Sequence, residues 1–365
     1  MKKPTQKFRL YLLRIEHKKT KRKINQKRRI REVITRKINP YSEIDSTKSG
    51  QFKLLSPEIF SLAKPDEFHL VVDFIEQLRY AVKQGKRVYI DFSNTKKLYP
   101  CGTLLIVAEL QRIIENSKNS QIKSNYPKDS VVEQMFQHIG LLHMLGKEPR
   151  KEVTASTVIP WSFYHGATPG ELNNLDTLKV QYSDPLGEEL SHRLLSGISE
   201  AITNCYHHAY LENRGDGLDI DATKGWWLFA MHKDGLINVA MCDLGIGIPR
   251  SLPQTELHQI DEFKEALSRI GLRQSKDKYY IKAAIDYGIS RTKQGHRGKG
   301  LSDIINVVKK SNRGGIKIYS NRGLYIYNST EKRGKYFELA KNIMGTLIQW
   351  TFPISQLEQE LKNEG

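Results

Sequence analysis

The sequence predicts an α/β protein: two successive α/β units, the larger of the α+β sandwich kind, behind a basic leader. Three observations carry that prediction. Residues 1–37 hold 16 Lys and Arg against two acids, so +14 of the chain's +18 net charge lies at one end. From about Gln51, apolar runs of strand length alternate with apolar runs at helical spacing. From Trp161 to Pro353, strands separated by turn residues alternate with glycine loops. These features divide the chain into an arm over 1–48, an α/β unit over 49–150, a larger unit over 160–355 and a tail over 356–365. The 39% hydrophobic content suffices for a core and excludes wholesale disorder.

Further classes fall away on composition. The three cysteines, Cys101, Cys205 and Cys242, are far apart and form no CxxC pair, which excludes a disulfide scaffold or cysteine-rich zinc module. No apolar run reaches the roughly 18–20 residues of a membrane span. The charged N-terminus lacks the apolar segment of a secretory signal. The expectation is a soluble, cytoplasmic protein.

In the leader, His17–Arg31 (HKKTKRKINQKRRIR) is dense enough in like charge to favour an extended or weakly helical arm. Such an arm can bind RNA or DNA through phosphates, with salt-sensitive affinity. It can equally be a solvated tail or a docking segment, since no base-reading motif accompanies it.

The middle unit starts with a helix over Phe68–Val82, whose apolar residues Leu70, Val71, Phe74, Ile75, Leu78 and Val82 share a face. Gln84-Gly85-Lys86 ends it, and Arg87–Phe92 (RVYIDF) reads as a buried strand. Gly102–Ile114 reads as a second helix and Ser130–Leu145 as a third. The words IDFSNTKKLYPCGTLLIVAEL and VVEQMFQHIGLLHML resemble a STAS domain, the anti-sigma factor antagonist fold. In that family a serine in the loop before the second helix accepts phosphate. Here the loop is Tyr99-Pro100-Cys101-Gly102, without a hydroxyl at that position, so the usual switch is absent and a docking or regulatory module is expected.

The C-terminal half opens with a helix over Leu186–Leu211, carrying Glu200-Ala-Ile-Thr-Asn204-Cys-Tyr-His-His208. Spacings of four put Glu200, Asn204 and His208 on one stripe. Alone, such a pattern is ordinary surface polarity. Trp226–His232 and Leu236–Asp243 form a hairpin around Lys233-Asp234-Gly235, running into Asp243-Leu-Gly245-Ile-Gly247-Ile248-Pro249. That is a carboxylate at a strand end, followed by glycines that let backbone approach a flat ligand. Gly295-His-Arg297-Gly298-Lys299-Gly300 feeds a helix over Ser302–Lys310, an arrangement that can cradle phosphate. A second hairpin, Ile316–Ser320 with Leu324–Tyr327, turns at Asn321-Arg322-Gly323, and Gly345-Thr346 opens a last strand over Leu347–Phe352.

In this order, the helical ExxxN, the DxGxGI after a strand, the GxG at a helix start and the terminal GT strand resemble the GHKL ATPase superfamily. Over roughly 185–355 the likeness is greatest to anti-sigma factor serine kinases, whose helix motif is similar to EAITNCYHHAY. The resemblance implies a Bergerat-type ATP-binding domain, with a mixed sheet and a helical layer. It implies ATP and Mg²⁺ as cofactors. Asn204 would hold Mg²⁺ through its amide oxygen, and Asp243 would accept the adenine amine. Gly245 and Gly247 would make room for the base, and the Thr346 hydroxyl would contact it. Arg297, Gly298, Lys299 and Gly300 would close over the phosphates, and Glu200 would serve as general base. His208 is expected to pack near the site rather than to ligate metal. Pro249–Gln294 would be a lid, with helical stretches around Asp261–Ile270 and Ile281–Tyr287.

Within the superfamily, His192 is followed by Arg193 and Leu194 with no nearby proline, which argues against a phosphoacceptor histidine. The few residues beyond Pro353 leave no space for a transducer domain in this sequence. The expected function is an ATP-dependent regulatory switch, an ATPase or serine/threonine protein kinase acting on a partner protein. An ATPase coupled to nucleic acid through residues 1–37 and a non-catalytic ATP-binding scaffold are the alternatives. A homodimer stays open, because many relatives of this kind dimerise.

Overall fold

A computed structural model describes residues 51–116, 122–171, 186–218, 224–233, 235–254, 276–292, 300–311 and 313–354. The protein is mixed α/β, with parallel and antiparallel sheets. The described residues belong to one compact unit. No helix among the described residues is long and apolar enough to cross a membrane.

The N-terminal layer follows from alternating strands and helices. β1 (Gln51–Leu55), β3 (Arg87–Asp91) and β5 (Ile122–Ser124) form a parallel sheet in that order, and β2 (Ile59–Phe60) pairs in parallel with β4 (Lys97–Leu98). Parallel neighbours need crossover helices. These are α1 (Pro65–Lys83) and α2 (Pro100–Asn116). α1 begins at a proline with Asp66 and Glu67 in its first turn, both suited to a helix N-terminus, and buries Phe68, Val71, Phe74, Ile75 and Leu78. α2 is buried continuously over 101–113, its largely apolar surface interrupted by the buried Glu109, Gln111 and Arg112.

The expected single helix over Ser130–Leu145 is two helices, α3 (Ser130–His138) and α4 (Leu141–Met144). Asp129 caps α3 by accepting the Val131 and Val132 N–H groups. Gly140 sits in the left-handed region at φ 77°, where glycine pays no steric penalty, and the chain changes direction there.

The larger part is a seven-stranded sheet ordered β11-β10-β9-β12-β8-β7-β6. Its strands are β6 (Trp161–Gly166), β7 (Trp226–Lys233), β8 (Leu236–Asp243), β9 (Gly315–Ser320), β10 (Gly323–Asn328), β11 (Arg333–Glu338) and β12 (Thr346–Pro353). Every pairing in it is antiparallel, which corrects the expectation of a mixed sheet. β12 inserts between β8 and β9, which run in the same direction, and so separates the two strands whose contact would have been parallel. β11 has no counterpart among the expected strands. Its RGKYFE sequence lacks an apolar run, because it is the polar edge of the sheet.

Side chains alternate between two buried faces. Trp226, Leu228, Val239, Met241, Ile348 and Trp350 pack beneath α5 (Glu188–Asn204), α7 (Asp277–Thr292) and α8 (Gly300–Ser311), with a short α6 (Ile248–Ser251) following β8. Trp227, Phe229, Ala240, Cys242 and Leu347 share the other core with α1 and α2. Polar bonds also cross that second junction, among them Trp227 Nε1 to Gln111 Oε1 at 2.9 Å and the Tyr319 hydroxyl to the Leu62 carbonyl at 3.2 Å. The large sheet is therefore sandwiched between a helical layer and the N-terminal α/β layer.

Candidate functional site

Three adjacent strands end or begin together at one edge of the sheet. Thr346 opens β12 and pairs with Asp243, the last residue of β8, on one side and with Ser320, the last of β9, on the other. Asp243 is 6% exposed. Its Oδ1 accepts the Gly245 N–H at 2.9 Å and the Thr346 N–H at 3.2 Å. Burial nevertheless pushes its pKa up to about 6, against the pull of those donors and of the Arg214 charge. The Thr346 hydroxyl also bonds this carboxylate and lies 3.0 Å from Ser320 Oγ.

The loop after Asp243 is fixed on both flanks. The Ile246 N–H donates to the Ala209 carbonyl at 2.8 Å, and a Cβ at Gly245 would lie 2.1 Å from that same oxygen. Gly247 has φ +75°, and a Cβ there would meet the Asn321 side chain at 2.8 Å. The space these two glycines leave is thus filled by protein. Close packing of the loop, rather than approach of a flat ligand, is what excludes a side chain at these points.

Asn321, itself at φ 51°, donates from Nδ2 to the Ile246 carbonyl at 2.8 Å and accepts the Gly345 N–H on Oδ1 at 3.3 Å. Ser320 Oγ accepts the Ile248 N–H at 2.8 Å. Tyr210 accepts the Leu244 N–H at 3.2 Å and donates to the Gly225 carbonyl at 2.5 Å. Sequence reasoning missed Ser320, Asn321 and Tyr210 as site residues. Only the Asn-Arg-Gly turn hinted at one of them, since asparagine tolerates the left-handed region.

α5 brings the remaining polar groups. It buries Leu190, Leu194, Ile198, Ala201 and Ile202 and leaves Glu200 and Asn204 half-buried at its C-terminal end. Asn204 Nδ2 donates to Glu200 Oε1 at 3.3 Å. The helix does not continue to Leu211 as one α-helix. Cys205–Ala209 form a π-helical turn, a device that often marks functional sites. The wider turn takes His208 out of the register that would have stacked it with Glu200 and Asn204. His208 is half-buried, and burial together with the neighbouring His207 lowers its pKa.

α8 packs antiparallel to α5. Val307 lies where a Cβ on Gly197 would fall, and the Ile304 carbonyl accepts from Trp350 Nε1 at 3.0 Å. α8 runs from Gly300 to Ser311, and the chain then enters β9, whose last residue Ser320 pairs with Thr346. Asp243, Gly245, Gly247 and Thr346 are brought together directly. Glu200 and Asn204 reach the loop through the π-turn that bonds it. Arg297, Gly298 and Lys299 lie outside the described residues, as do the arm 1–48, the tail from 355 and the helical stretch around Asp261–Ile270. The stretch Ile281–Tyr287 lies within α7. Among the described residues no group of three or more His, Cys, Asp or Glu could hold a metal ion.

No protein-family model matches the chain, and no curated protein matches it.

Proposed function

We propose that this chain is a regulatory ATP-binding protein of the GHKL type. In this reading the sheet edge around Asp243 binds the adenine, and the N-terminal layer is a STAS-like module fused to the ATP-binding unit. The observation that carries the reading is the buried Asp243 carboxylate. It sits beside Thr346, on a loop locked to the C-terminal end of the helix that bears Glu200 and Asn204. Buried groups with shifted pKa values cluster at functional sites, and Asp243, 6% exposed with its pKa raised, is such a group.

The residues fit the chemistry of Mg²⁺-ATP. Asp243 offers an acceptor to the exocyclic amine of adenine, which guanine lacks at that position. Asn204 turns its amide nitrogen to Glu200 and so offers oxygen to a cation, the donor a hard ion prefers. A single amide ligand is compatible with Mg²⁺, which takes its other ligands from phosphate and water. The ion, when bound, supplies positive charge that offsets the charge of the phosphates. Glu200, bonded by Asn204, would take a proton from water or a protein hydroxyl as it attacks the terminal phosphate. Gly300 opens α8, and a helix N-terminus suits a phosphate group.

The test uses γ-labelled ATP and Mg²⁺, scoring free phosphate and protein-bound label together. Wild-type protein should release phosphate or transfer label, and Glu200→Ala should lose about 10²-fold or more of that activity while keeping ATP affinity. Failure of the wild type to bind ATP overturns the reading. The +14 leader favours a second element, contact of residues 1–37 with nucleic acid. Deleting them should abolish a steeply salt-dependent RNA or DNA affinity.

A further inference from the structure

Five charged side chains are buried together where the N-terminal layer meets the segment leading into β12. They are Arg79 of α1, Glu109 and Arg112 of α2, and Arg214 and Asp216, which follow the π-turn. Glu109 has no exposed surface. Its Oε1 takes Arg79 and Arg214, and its Oε2 takes Arg112 at 3.5 Å. Asp216 takes Arg112 at 2.7 Å and Arg214 at 3.5 Å.

Arg214 then does something the ion pairs alone do not require. It donates through Nη2 to the carbonyls of Ile343 and Met344, and Arg79 Nη1 approaches Met344 Sδ at 3.1 Å. Met344 and Gly345 occupy consecutive positive-φ positions, 58° and 132°. For methionine this is a sparsely populated conformation that its surroundings must hold in place. The next residue is Thr346, whose N–H donates to Asp243.

A buried cluster of three cations and two anions is a poor choice for stability alone. Arg79 Nε and Arg214 Nε find no partner in it, and such clusters are often no better than apolar residues of the same volume. What this cluster does accomplish is register. Glu109, from the N-terminal layer, fixes Arg214, which fixes the bend, which fixes the Thr346 N–H against the Asp243 carboxylate. We infer that Glu109 and Arg214 are positioning residues for the base-binding edge, so that the N-terminal layer sets the site's affinity and selectivity from behind the sheet. The inference about nucleotide rests on the ATP-binding reading; the inference about the bend does not.

The experiment takes full-length wild type, Glu109→Gln, Arg214→Met and Arg214→Lys. Val71→Ala, a remote cavity variant in the same N-terminal layer, is the control for general destabilisation. Two quantities are read. Hydrogen exchange of a peptide spanning the bend and Thr346 needs no ligand. Titration with ATP and with GTP reports affinity and base preference. Arg214→Met should speed exchange in the bend about a hundredfold and lower ATP affinity about tenfold or more, shrinking the ATP-to-GTP ratio. Glu109→Gln should do the same more weakly, Arg214→Lys should recover part of the loss, and Val71→Ala should leave the ratio intact. Unchanged exchange in both Arg214→Met and Glu109→Gln overturns the inference. So does selective ATP binding that survives both substitutions, or a ratio that Val71→Ala lowers equally. If the wild type binds no ATP but the bend loosens as described, the ATP reading fails and the clamp stands.

Discussion

Both faces of the seven-stranded sheet carry an apolar core, yet they are covered by different kinds of helix. On one face α5 keeps a polar stripe, and the site residues Glu200 and Asn204 lie at its C-terminal end. On the other, α2 lies between the sheet and the parallel β1–β3–β5 layer and has no exposed face over 101–113. Its charged residues there, Glu109 and Arg112, are instead buried and paired. α5 thus leaves polar groups available to a ligand, while α2 pairs its buried charges internally. The chemistry belongs to the first, and the control of its geometry to the second.

The largest effect should come from crowding the closed face. A Cβ at Gly102, in the first turn of α2, would lie 2.4 Å from the Phe60 carbonyl carbon and 2.5 Å from the Ser61 nitrogen. These are backbone atoms of β2 and its neighbour, which cannot rotate away. Gly102→Ala should therefore cost about 3 kcal/mol or more in urea unfolding, or prevent folding. Its counterpart on the open face is Gly197 of α5, where the obstacle is a Val307 methyl at 2.6 Å. A side chain can change rotamer, and alanine gains about 1 kcal/mol of helix propensity over glycine, so Gly197→Ala should stay within about 1 kcal/mol of wild type. Equal losses in the two variants would break the comparison.

A second effect separates stability from function by pH. Asp243 has a folded pKa raised from 3.8 to about 6, so the folded state holds its proton more tightly than the unfolded state. Its contribution to stability is fully present below about 3.8 and is lost as pH rises through about 6. Adenine binding needs the ionised acceptor and runs the opposite way. ATP affinity should fall about tenfold per pH unit below about 6, while this group's contribution to unfolding stability rises. Asp243→Asn should flatten both profiles between pH 5 and 7 and lower ATP affinity at pH 7. Titration calorimetry and urea unfolding over that range provide the check.

Much of this architecture is legible in the sequence, and the exceptions have physical reasons. The hairpin turns at Gly235 and Asn321-Arg322-Gly323 declare themselves through residues that accept positive φ. Asp243 stands out as a carboxylate ending an apolar strand. Continuous apolarity in α2 signals burial, but not that two sheets share it. Arg214 and Glu109 are unreadable as a pair because 105 positions separate them and nothing local marks either residue. The Asn321 contacts are hidden for a related reason: its backbone role is local, but its side chain reaches Ile246, 75 positions away. The break at Gly140 and the π-turn at Cys205–Ala209 arise where tertiary packing overrides a helical pattern that runs on in the sequence.

The smallest effect sharpens the comparison at the sheet's margin, where the two coverings do not extend equally. On β11, Tyr336 still packs toward the helical layer, with its ring centroid 5.0 Å from that of Tyr325, whereas the adjacent Phe337 points to the opposite face and is 44% exposed. Among the described residues, the N-terminal layer therefore stops short of this strand. Phe337→Lys removes apolar surface that solvent already reaches and adds a charge suited to an edge strand. It should shift urea-unfolding stability by no more than about 0.5 kcal/mol. Tyr336→Lys strips a ring from the covered face and should cost about 2 kcal/mol or more. A loss at Phe337 as large as that at Tyr336 would mean that something covers this margin in solution. The opposed faces would then be covered equally along the whole sheet.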